Sequence, residues 1–239
     1  MMQPMDIPKI SFWSRLTNLI SPRSCTICGN RLGLAEDILC GNCNLHLPRT
    51  HYILQPQDNE MAQLFWGRLS VERAVALIHY NGGSQVSNII YQLKYGSRPD
   101  TGLAMGQLMG KELLPYQFFQ DIDLIIPIPL ARSRRLQRGY NQSQLIAEGV
   151  SLSTGIRMSD SIVCRSVNTP TQTHKDRWER ADNMEDAFTL LRPEAAKGRH
   201  LLLIDDVVTT GSTLCACGKA LQQAGEVKIS VLTLGFSRG

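Results

Sequence analysis

The sequence of 239 residues has no apolar run of the roughly 18 residues that a membrane-spanning helix requires. Its longest stretch without Asp, Glu, Lys or Arg covers residues 74–93, and the turn-forming residues after Asn81 interrupt it. Near the amino terminus, where Asp6 and Lys9 occur, no apolar segment precedes a small-residue cleavage site. We therefore expect no membrane insertion, no signal peptide and a cytoplasmic location.

The sequence also lacks a large excess of either charge. The formal net charge is +4, charged residues make up 19% and apolar residues make up 43%. This composition excludes a disordered chain and a histone-like protein, but it permits anionic partners. A chain of this length accommodates a domain of ordinary size and a small additional module.

The chain has seven cysteines. It therefore lacks the even number that is typical of a secreted disulfide framework. Four of them form a CxxC-x11-CxxC pattern. Paired CxxC turns let four thiolates reach one ion, which favours zinc, with an iron–sulfur cluster as the alternative. We predict a closed, structural zinc site that stabilises a module too small to fold unaided, with the ligands Cys25, Cys28, Cys40 and Cys43. Reduced thiols agree with a cytosolic protein.

Composition and pattern divide the chain into three parts. Residues 1–49 contain an amphipathic segment, 12–20, and the four-cysteine module. Residues 50–67 are rich in turn-forming residues and are predicted to be a connector. From residue 68 onward apolar strands alternate with helices, which predicts a main domain over 68–239.

Within the main domain the apolar pattern switches repeatedly between strand and helix. Strands are predicted over residues 71–80, 122–128, 200–204 and 227–234. Helices are predicted over residues 84–93, 101–114, 141–152 and 212–223. Strand–helix–strand repetition with uninterrupted apolar strands predicts an α/β fold whose mainly parallel sheet is covered by helices on both faces.

The strongest chemical signal is the string LLLIDDVVTTGST at residues 201–213. An apolar strand leads into two carboxylates, Asp205 and Asp206, then into a small polar loop and a helix. The unpaired N–H groups and the dipole at such a helix start favour a phosphate, and Gly211 lets the backbone approach it. Two carboxylates at the carboxyl end of a strand suit ribose hydroxyls and a divalent cation. The string therefore predicts a monophosphate site.

This string resembles the phosphoribosyl pyrophosphate (PRPP) motif of type I phosphoribosyltransferases. The resemblance implies a type I phosphoribosyltransferase fold, in which the acidic pair contacts the ribose of PRPP and Mg²⁺ accompanies the ligand. It also implies that the loop binds PRPP and holds its 5-phosphate, through Val207, Thr209, Thr210, Gly211, Ser212 and Thr213.

Further strings narrow the resemblance to the ComF family. They occur here in that family's order: Tyr80-Asn-Gly-Gly, Leu93-Lys-Tyr, Ile126-Pro-Ile-Pro, Gln137-Arg-Gly-Tyr-Asn-Gln, and Thr169-Pro-Thr-Gln with Arg177, Arg180 and Asn183. The four-cysteine module is also typical of the family. The resemblance covers nearly the whole chain and implies a role in DNA uptake during transformation, or in DNA utilization.

Cationic side chains suited to a diphosphate follow the Pro-rich loop at residues 127–130. Arg132, Arg135 and Arg138 offer planar forks for phosphate oxygens, and Lys94 is a further candidate ligand of PRPP. We predict that Arg138 is catalytic together with the acidic pair, because the pyrophosphate leaves with negative charge while the ribose becomes cationic. A hood over the site is predicted from Arg165, Gln172, Arg177 and Arg180.

Two classes of function remain open. The first is an enzyme, for which we expect Mg²⁺-dependent phosphoribosyl transfer from PRPP to an amine or a base with release of pyrophosphate. The second is a binding protein for which PRPP or a nucleotide is a ligand within a DNA-uptake or DNA-processing assembly. A third, weaker hypothesis is binding of single-stranded DNA by the arginines of residues 132–138. The acceptor and the oligomeric state stay open.

Overall fold

The computed structural model describes residues 23–36, 38–84, 86–95, 99–165 and 187–237. They belong to two compact units, Met1–Leu47 and Pro48–Gly239. The amphipathic segment predicted at residues 12–20 lies outside the described residues. No described helix combines the length and the apolar character that crossing a membrane demands.

The second unit contains a four-stranded parallel sheet and a separate antiparallel strand pair. The strands of the sheet are β1 (Arg73–His79), β2 (Leu124–Pro127), β5 (His200–Val208) and β6 (Lys228–Phe236). Their order is β1-β6-β5-β2. The separate pair is formed by β3 (Val163–Arg165) and β4 (Phe188–Leu190).

The described helices connect and cover these strands. The first unit has α1 (Gly41–Leu45). The second unit has α2 (Glu60–Gln63), α3 (Ser87–Tyr95), α4 (Pro99–Leu113), α5 (Arg132–Arg138), α6 (Gln142–Thr154), α7 (Pro193–Ala196) and α8 (Ser212–Gln222). Single 3₁₀ turns lie at Tyr52–Leu54 and Leu114–Tyr116.

Strand β5 lies inside the sheet, between β6 and β2, and its apolar half is fully buried. Leu201 and Leu203 belong to the core that includes Leu214 and Leu221 of α8. Because side chains alternate along a strand, the neighbouring leucine and isoleucine face the opposite side of the sheet. Pairing with β6 continues as far as Val208, so the acidic pair belongs to β5 and follows its apolar half.

Helices α4 and α6 approach each other so closely that glycine is needed at the crossing. A Cβ added at Gly149 would lie 2.0 Å from the carbonyl oxygen of Leu103. A Cβ added at Gly106 would lie 2.1 Å from the carbonyl oxygen of Ile146. The contact is therefore between backbones, and it fixes α6, which contacts β5 and β2, against its neighbour.

Both edges of the sheet are covered by other segments of the chain. Along β1, the N–H of Thr50 donates to Leu77 at 3.0 Å and the N–H of Ala74 donates to Pro56 at 2.8 Å. Along β2, the N–H of Ile125 donates to Arg157 at 2.9 Å, and its carbonyl accepts from Ser159 at 2.9 Å. These bonds satisfy edge groups that would otherwise be open to another strand.

The predicted α/β class with a mainly parallel sheet is confirmed, and each strand and helix predicted for the main domain is present. The predicted strand 200–204 is too short, because parallel pairing with β6 extends it to Val208. Helix α5 and the β3–β4 pair were not predicted, since the first is arginine-rich and the second is very short. Residues 50–67, predicted as a connector, form α2 and cover the edge of β1 as part of the second unit.

Candidate functional site

The acidic pair lies at the carboxyl end of β5, where residues of α3 and α6 contact it. Asp205 accepts a hydrogen bond from the hydroxyl of Ser143 at 2.8 Å and another from the N–H of Asp206 at 2.9 Å. Asp206 accepts from the N–H of Val207 at 2.7 Å and forms a salt bridge with Lys94 of α3 at 3.3 Å. The two carboxylates therefore have different partners, because alternation turns them to opposite faces of the sheet.

The electrostatics of the pair favour one negative charge over two. Burial, and then the charge of Asp206, raise the pKa of Asp205 to about 7, and the hydrogen bond from Ser143 offsets this only in part. A cation or a hydrogen-bond donor brought to this side chain would stabilise its charged form. The pair is thus prepared for a ligand that supplies hydroxyl groups or positive charge.

The loop from Thr209 to Thr213 joins β5 to α8 and leaves the start of that helix uncapped. Thr209 and Thr210 are exposed, and Gly211, the N-cap residue, provides no side-chain hydrogen bond to the helix. The first N–H groups of a helix have no partner within it, and the helix dipole makes this end positive. The hydroxyl oxygens of Thr210 and Ser212 lie 3.0 Å apart. An anion at this point would meet several donors at once.

Packing within the protein also favours glycine at residue 211. Its φ of +70° is a left-handed conformation, which favours glycine. A Cβ at this position would lie 3.3 Å from Cε1 of Phe65 and 3.4 Å from Cβ of Leu64. A side chain at residue 211 would thus press against the segment after α2, and the predicted approach of a phosphate to the Gly211 backbone stays a prediction.

Arg68 holds this loop from the side of the same segment. Its guanidinium donates to the carbonyl of Thr210 at 2.7 Å, to the hydroxyl of Ser212 at 3.1 Å and to the carbonyl of Leu64 at 3.0 Å. Arg68 therefore fixes the loop and adds a positive charge beside the helix start. Sequence reasoning missed it, since it lies 142 positions from Thr210 and belongs to no motif.

Arg138, predicted to be catalytic, contacts other side chains at the junction of α5 and α6. Its Nη1 donates to Oε1 of Gln142 at 2.9 Å, and its guanidinium carbon lies 5.6 Å from the centre of the Tyr95 ring. At the same junction, the amide of Asn141 donates to the carbonyl of Ile128 at 3.0 Å and its oxygen accepts from the N–H of Ser143 at 3.2 Å. The junction thus positions Ser143 against the acidic pair.

A cavity of about 630 Å³ lies beside this junction. Its lining combines the end of β2 and α5 with β3, including Pro127, Pro129, Arg132, Arg135, Asn141, Gln144, Asp160, Val163, Cys164 and Arg165. The predicted PRPP ligands Arg132 and Arg135 therefore line one cavity, while Lys94 contacts Asp206 instead. Of the predicted hood, Arg165 lines the cavity, whereas Gln172, Arg177 and Arg180 lie outside the described residues.

The four predicted metal ligands form a cluster in the first unit. Their sulfur atoms all lie within 4.8 Å of one another, and those of Cys28 and Cys40 are 3.8 Å apart. The N–H of Cys40 donates to the sulfur of Cys25 and the N–H of Cys43 to that of Cys40, both at 3.4 Å. A cluster of this kind can hold a metal ion.

Local hydrogen bonds shape the loop between the two cysteine pairs. The carboxylate of Glu36 accepts from the N–H groups of Gly33 and Gly41, each at 2.6 Å, which draws both ends of the loop together. Burial acts to raise the pKa of Cys25, but hydrogen bonds from Cys28, Cys40 and other donors outweigh it and lower that pKa to about 7. One thiolate is thus already favoured, and metal binding would deprotonate the remaining thiols.

The residues that sequence reasoning missed differ in how far the sequence points to them. Asn141 belongs to the Gln137–Gln142 string and is a recognisable helix N-cap, and Ser143 follows that string directly. Asp160 and Arg68 stand in no recognisable pattern. Only the fold brings Asp160 to the cavity and Arg68 to the loop between β5 and α8.

Comparison with solved structures finds a partial likeness to an amidotransferase. No family model matches the chain. The glutamine phosphoribosylpyrophosphate amidotransferase of Bacillus subtilis, in complex with ADP and GMP, is 17% identical with a TM-score of 0.42. The match covers 60% of this chain and 30% of that chain.

Relatives by sequence match over most of their length. The DNA utilization protein YhgH of Escherichia coli O6:H1 is 31% identical over 218 residues, which cover 88% of each protein. Competence protein F of Haemophilus influenzae is 28% identical over 217 residues, covering 87% of this chain and 94% of that protein. The motifs quoted above and these relatives together show that the chain belongs to the ComF family.

Proposed function

We propose that the chain binds PRPP and transfers its phosphoribosyl group to an amine or a nucleobase, with pyrophosphate as the leaving group and Mg²⁺ bound with the ligand. The observation that carries this proposal is the junction of β5 and α8, where two carboxylates precede an uncapped helix start. Carboxylates accept hydrogen bonds from ribose hydroxyls, and helix N–H groups donate to a phosphate. The junction therefore suits a ribose 5-phosphate.

In this proposal the two ends of PRPP are held by different elements. Asp205 and Asp206 contact the ribose, and the loop from Val207 to Thr213 holds the 5-phosphate. The diphosphate is bound by cationic side chains, namely Lys94, Arg132, Arg135 and Arg138. Loss of pyrophosphate leaves an oxocarbenium-like ribose, so carboxylates near the ribose and cations near the diphosphate stabilise opposite charges. A bound Mg²⁺ would neutralise part of the diphosphate charge.

Calorimetry with PRPP in the presence and absence of Mg²⁺, together with pyrophosphate release, tests the proposal. The double variant Asp205→Asn, Asp206→Asn should lose PRPP affinity by more than about a hundredfold, since it removes two charged contacts. Asp121→Asn is the matched control, because Asp121 is exposed near the start of β2 and should bind normally. Normal binding by the double variant would refute the proposal. If the protein binds PRPP but releases no pyrophosphate with any amine, base or nucleic acid as acceptor, it would be a binding protein and not an enzyme.

We propose zinc as the ion of the four-cysteine cluster, with a structural role. Four sulfurs around zinc at about 2.3 Å lie about 3.8 Å apart in a tetrahedron, and Cys28 and Cys40 have this separation. A four-iron cluster would hold its cysteine sulfurs further apart, because each binds a different iron. The reduced thiols that such a site needs also support a cytoplasmic location.

Binding of single-stranded DNA is a second candidate function, favoured by an exposed aromatic pair. The rings of Tyr91 and Tyr95 lie 5.4 Å apart, and both side chains are more than half exposed. Arg138 lies over Tyr95, and bases stack on such aromatic and guanidinium planes. The names of the relatives, DNA utilization protein and competence protein, agree with this candidate and with partners in DNA uptake.

Fluorescence anisotropy with a labelled oligonucleotide tests the second candidate. Affinity should fall steeply with salt, and Tyr91→Ala should weaken it by about tenfold or more, since stacking of one base contributes roughly 1–3 kcal/mol. Tyr116→Ala is the control, because Tyr116 is also exposed but lies elsewhere, after α4. Equal effects of the two changes would argue against a stacking site.

A further inference from the structure

The cavity beside the α5–α6 junction has the size of a small-molecule site. Its volume of about 630 Å³ falls within the range of roughly 300–1,000 Å³ that ligand pockets occupy. Its walls come from the segment after β2, from α5, from the start of α6 and from β3. The cavity connects to the candidate site through two residues of one turn, since Asn141 lines it and Ser143 binds Asp205.

The charge of the cavity lining is unbalanced. Three arginines, Arg132, Arg135 and Arg165, stand against a single carboxylate, Asp160. Within the part of the chain that the structure describes, none of the three guanidinium groups has a hydrogen bond or a salt bridge to another side chain or to the backbone. Cationic groups without protein partners favour anionic ligands, and guanidinium groups in particular bind carboxylates and phosphates with two parallel hydrogen bonds.

Arg165 differs from the two arginines of α5 in its surroundings. It is partly buried, whereas Arg132 and Arg135 are exposed. Its guanidinium carbon lies 5.5 Å from the centre of the Phe188 ring on β4, so the β3–β4 pair holds it in place. Burial, and then the nearby charge of Arg134, lower the pKa of Arg165. A partly buried cation with a cationic neighbour is stabilised when an anion binds beside it.

We infer that the acceptor of the phosphoribosyl group carries an anionic group, a carboxylate or a phosphate, and that Arg165 binds this group in the cavity. The inference rests on the proposed function, in which Arg132 and Arg135 are occupied by the diphosphate, so that Arg165 remains for the acceptor. It names a substrate class: a small nitrogen compound with an acidic substituent, in contrast to a neutral base.

The transfer is then a substitution at C1 of the ribose. The acceptor nitrogen donates its electron pair to C1, and the bond from C1 to the pyrophosphate oxygen breaks. That electron pair leaves with the pyrophosphate. An acceptor nitrogen that carries a proton, as in an amine, releases it to solvent, whereas a pyridine nitrogen without a proton becomes a pyridinium. The anionic group of the acceptor takes no part in bond formation and serves only to position the nitrogen.

Matched pairs of acceptors on the unaltered protein test the inference. Orotate and uracil, nicotinate and nicotinamide, and 2-aminobenzoate and 2-aminobenzamide each differ mainly in a carboxylate. Pyrophosphate release and calorimetric binding to the protein saturated with PRPP and Mg²⁺ are measured for each. We expect at least one anionic compound to bind or react at least about tenfold better than its neutral partner. Phosphate compounds without a ribose are measured as well, because the anionic group could be a phosphate instead of a carboxylate. Equal or better performance of the neutral member in every pair, with no response to phosphate compounds, would overturn the inference.

Arg165→Met separates the acceptor from PRPP. The variant should weaken binding of the anionic acceptor by about ten- to a hundredfold, as expected for one charged hydrogen-bonding group. The affinities for PRPP and for the neutral compounds should change by less than about threefold. Arg192→Met is the matched control, because Arg192 is exposed and does not line the cavity. An equal loss of PRPP affinity would assign Arg165 to the diphosphate and overturn the inference, while failure of the unaltered protein to bind PRPP would overturn the proposed function and this inference with it.

Discussion

The two units of the chain are stabilised in different ways. In the second unit, side chains such as Ile89, Leu93 and Met105 are 0% exposed. Among the described residues of the first unit, 23–36 and 38–47, the buried aliphatic side chains are each 6–8% exposed, and they are Ile27, Leu32, Ile38, Leu39 and Leu47. So small a core cannot offset the entropy of an ordered chain, and we expect metal ligation by the four sulfurs to make up the difference.

This difference determines where each unit is vulnerable. We expect the stability of the first unit to depend on a few sulfur atoms and on the hydrogen bonds that orient them. The stability of the second unit is spread over many apolar contacts, with exceptional sensitivity only where backbones touch. Substitutions in the two units should therefore differ in both size and kind.

The largest effect is expected from Cys40→Ser, because backbone N–H groups link Cys40 to two other cysteines of the cluster. Its N–H donates to the sulfur of Cys25, and its own sulfur accepts from Cys43. Bound metal and amide protection over residues 23–47 should be lost, while PRPP affinity of the folded protein changes by less than about threefold. Metal analysis and hydrogen exchange measure this. Cys164→Ser, outside the cluster, should retain the metal; retention by Cys40→Ser would contradict the metal site.

In the second unit, Gly149→Ala should have the largest effect. The added Cβ would meet the backbone of Leu103, which cannot move aside as a side chain can. We expect a loss of about 2–3 kcal/mol in the free energy of unfolding, measured by urea denaturation. Gly82→Ala is the control, because a Cβ there meets nothing within 4 Å; it should change stability by about 0.5 kcal/mol at most. Similar values for the two variants would show that the α4–α6 contact is not limiting.

Arg138→Ala should affect ligand binding more than stability. As a diphosphate ligand, Arg138 should contribute about 1.5–3 kcal/mol, so PRPP binding should weaken by about ten- to a hundredfold. Ribose 5-phosphate lacks the diphosphate, and its affinity should stay almost unchanged. Calorimetry with both ligands distinguishes the roles. Equal losses would mean that the contacts with Gln142 and Tyr95 make Arg138 a support of the α5–α6 junction.

The smallest loss of stability is expected from Asp205→Asn, which should instead stabilise the protein, and only at the higher pH values. The folded state keeps a proton on Asp205 up to a pKa of about 7, whereas the unfolded chain releases it near the ordinary value of about 4. Stability should therefore fall as pH rises from about 4 to 7, and the variant should avoid this loss. Its melting temperature should exceed that of the unaltered protein above pH 7, with little difference at pH 4. A difference that is larger at pH 4 would refute the electrostatic account.

The sequence predicted elements whose determinants are contiguous. The apolar run of Leu201–Ile204, the loop to Thr213 and the four cysteines each specify local geometry, and each was located correctly. The opposite orientation of Asp205 and Asp206 could also have been derived, because β5 extends through both and side chains alternate. It was missed because the strand was expected to end at Ile204.

Contacts between distant segments could not be predicted. The segment following α2 packs against the β5–α8 loop. Only through this packing does Arg68 contact Thr210, and only through it does Phe65 leave too little room for a side chain at Gly211. The cavity likewise combines α5 with β3, whose three residues carry almost no strand signal of their own. Tertiary packing determines these positions, and one sequence does not reveal it.

The covered edges of the sheet restrict how this protein can recognise others. Many proteins capture an extended peptide by adding it as a further strand, which requires an open row of backbone donors and acceptors. Here the segments around Thr50 and Met158 already lie along the outer strands. At the four-stranded sheet, binding of a partner would therefore depend on side-chain surfaces, and single substitutions on those surfaces should be able to abolish it without disturbing the sheet.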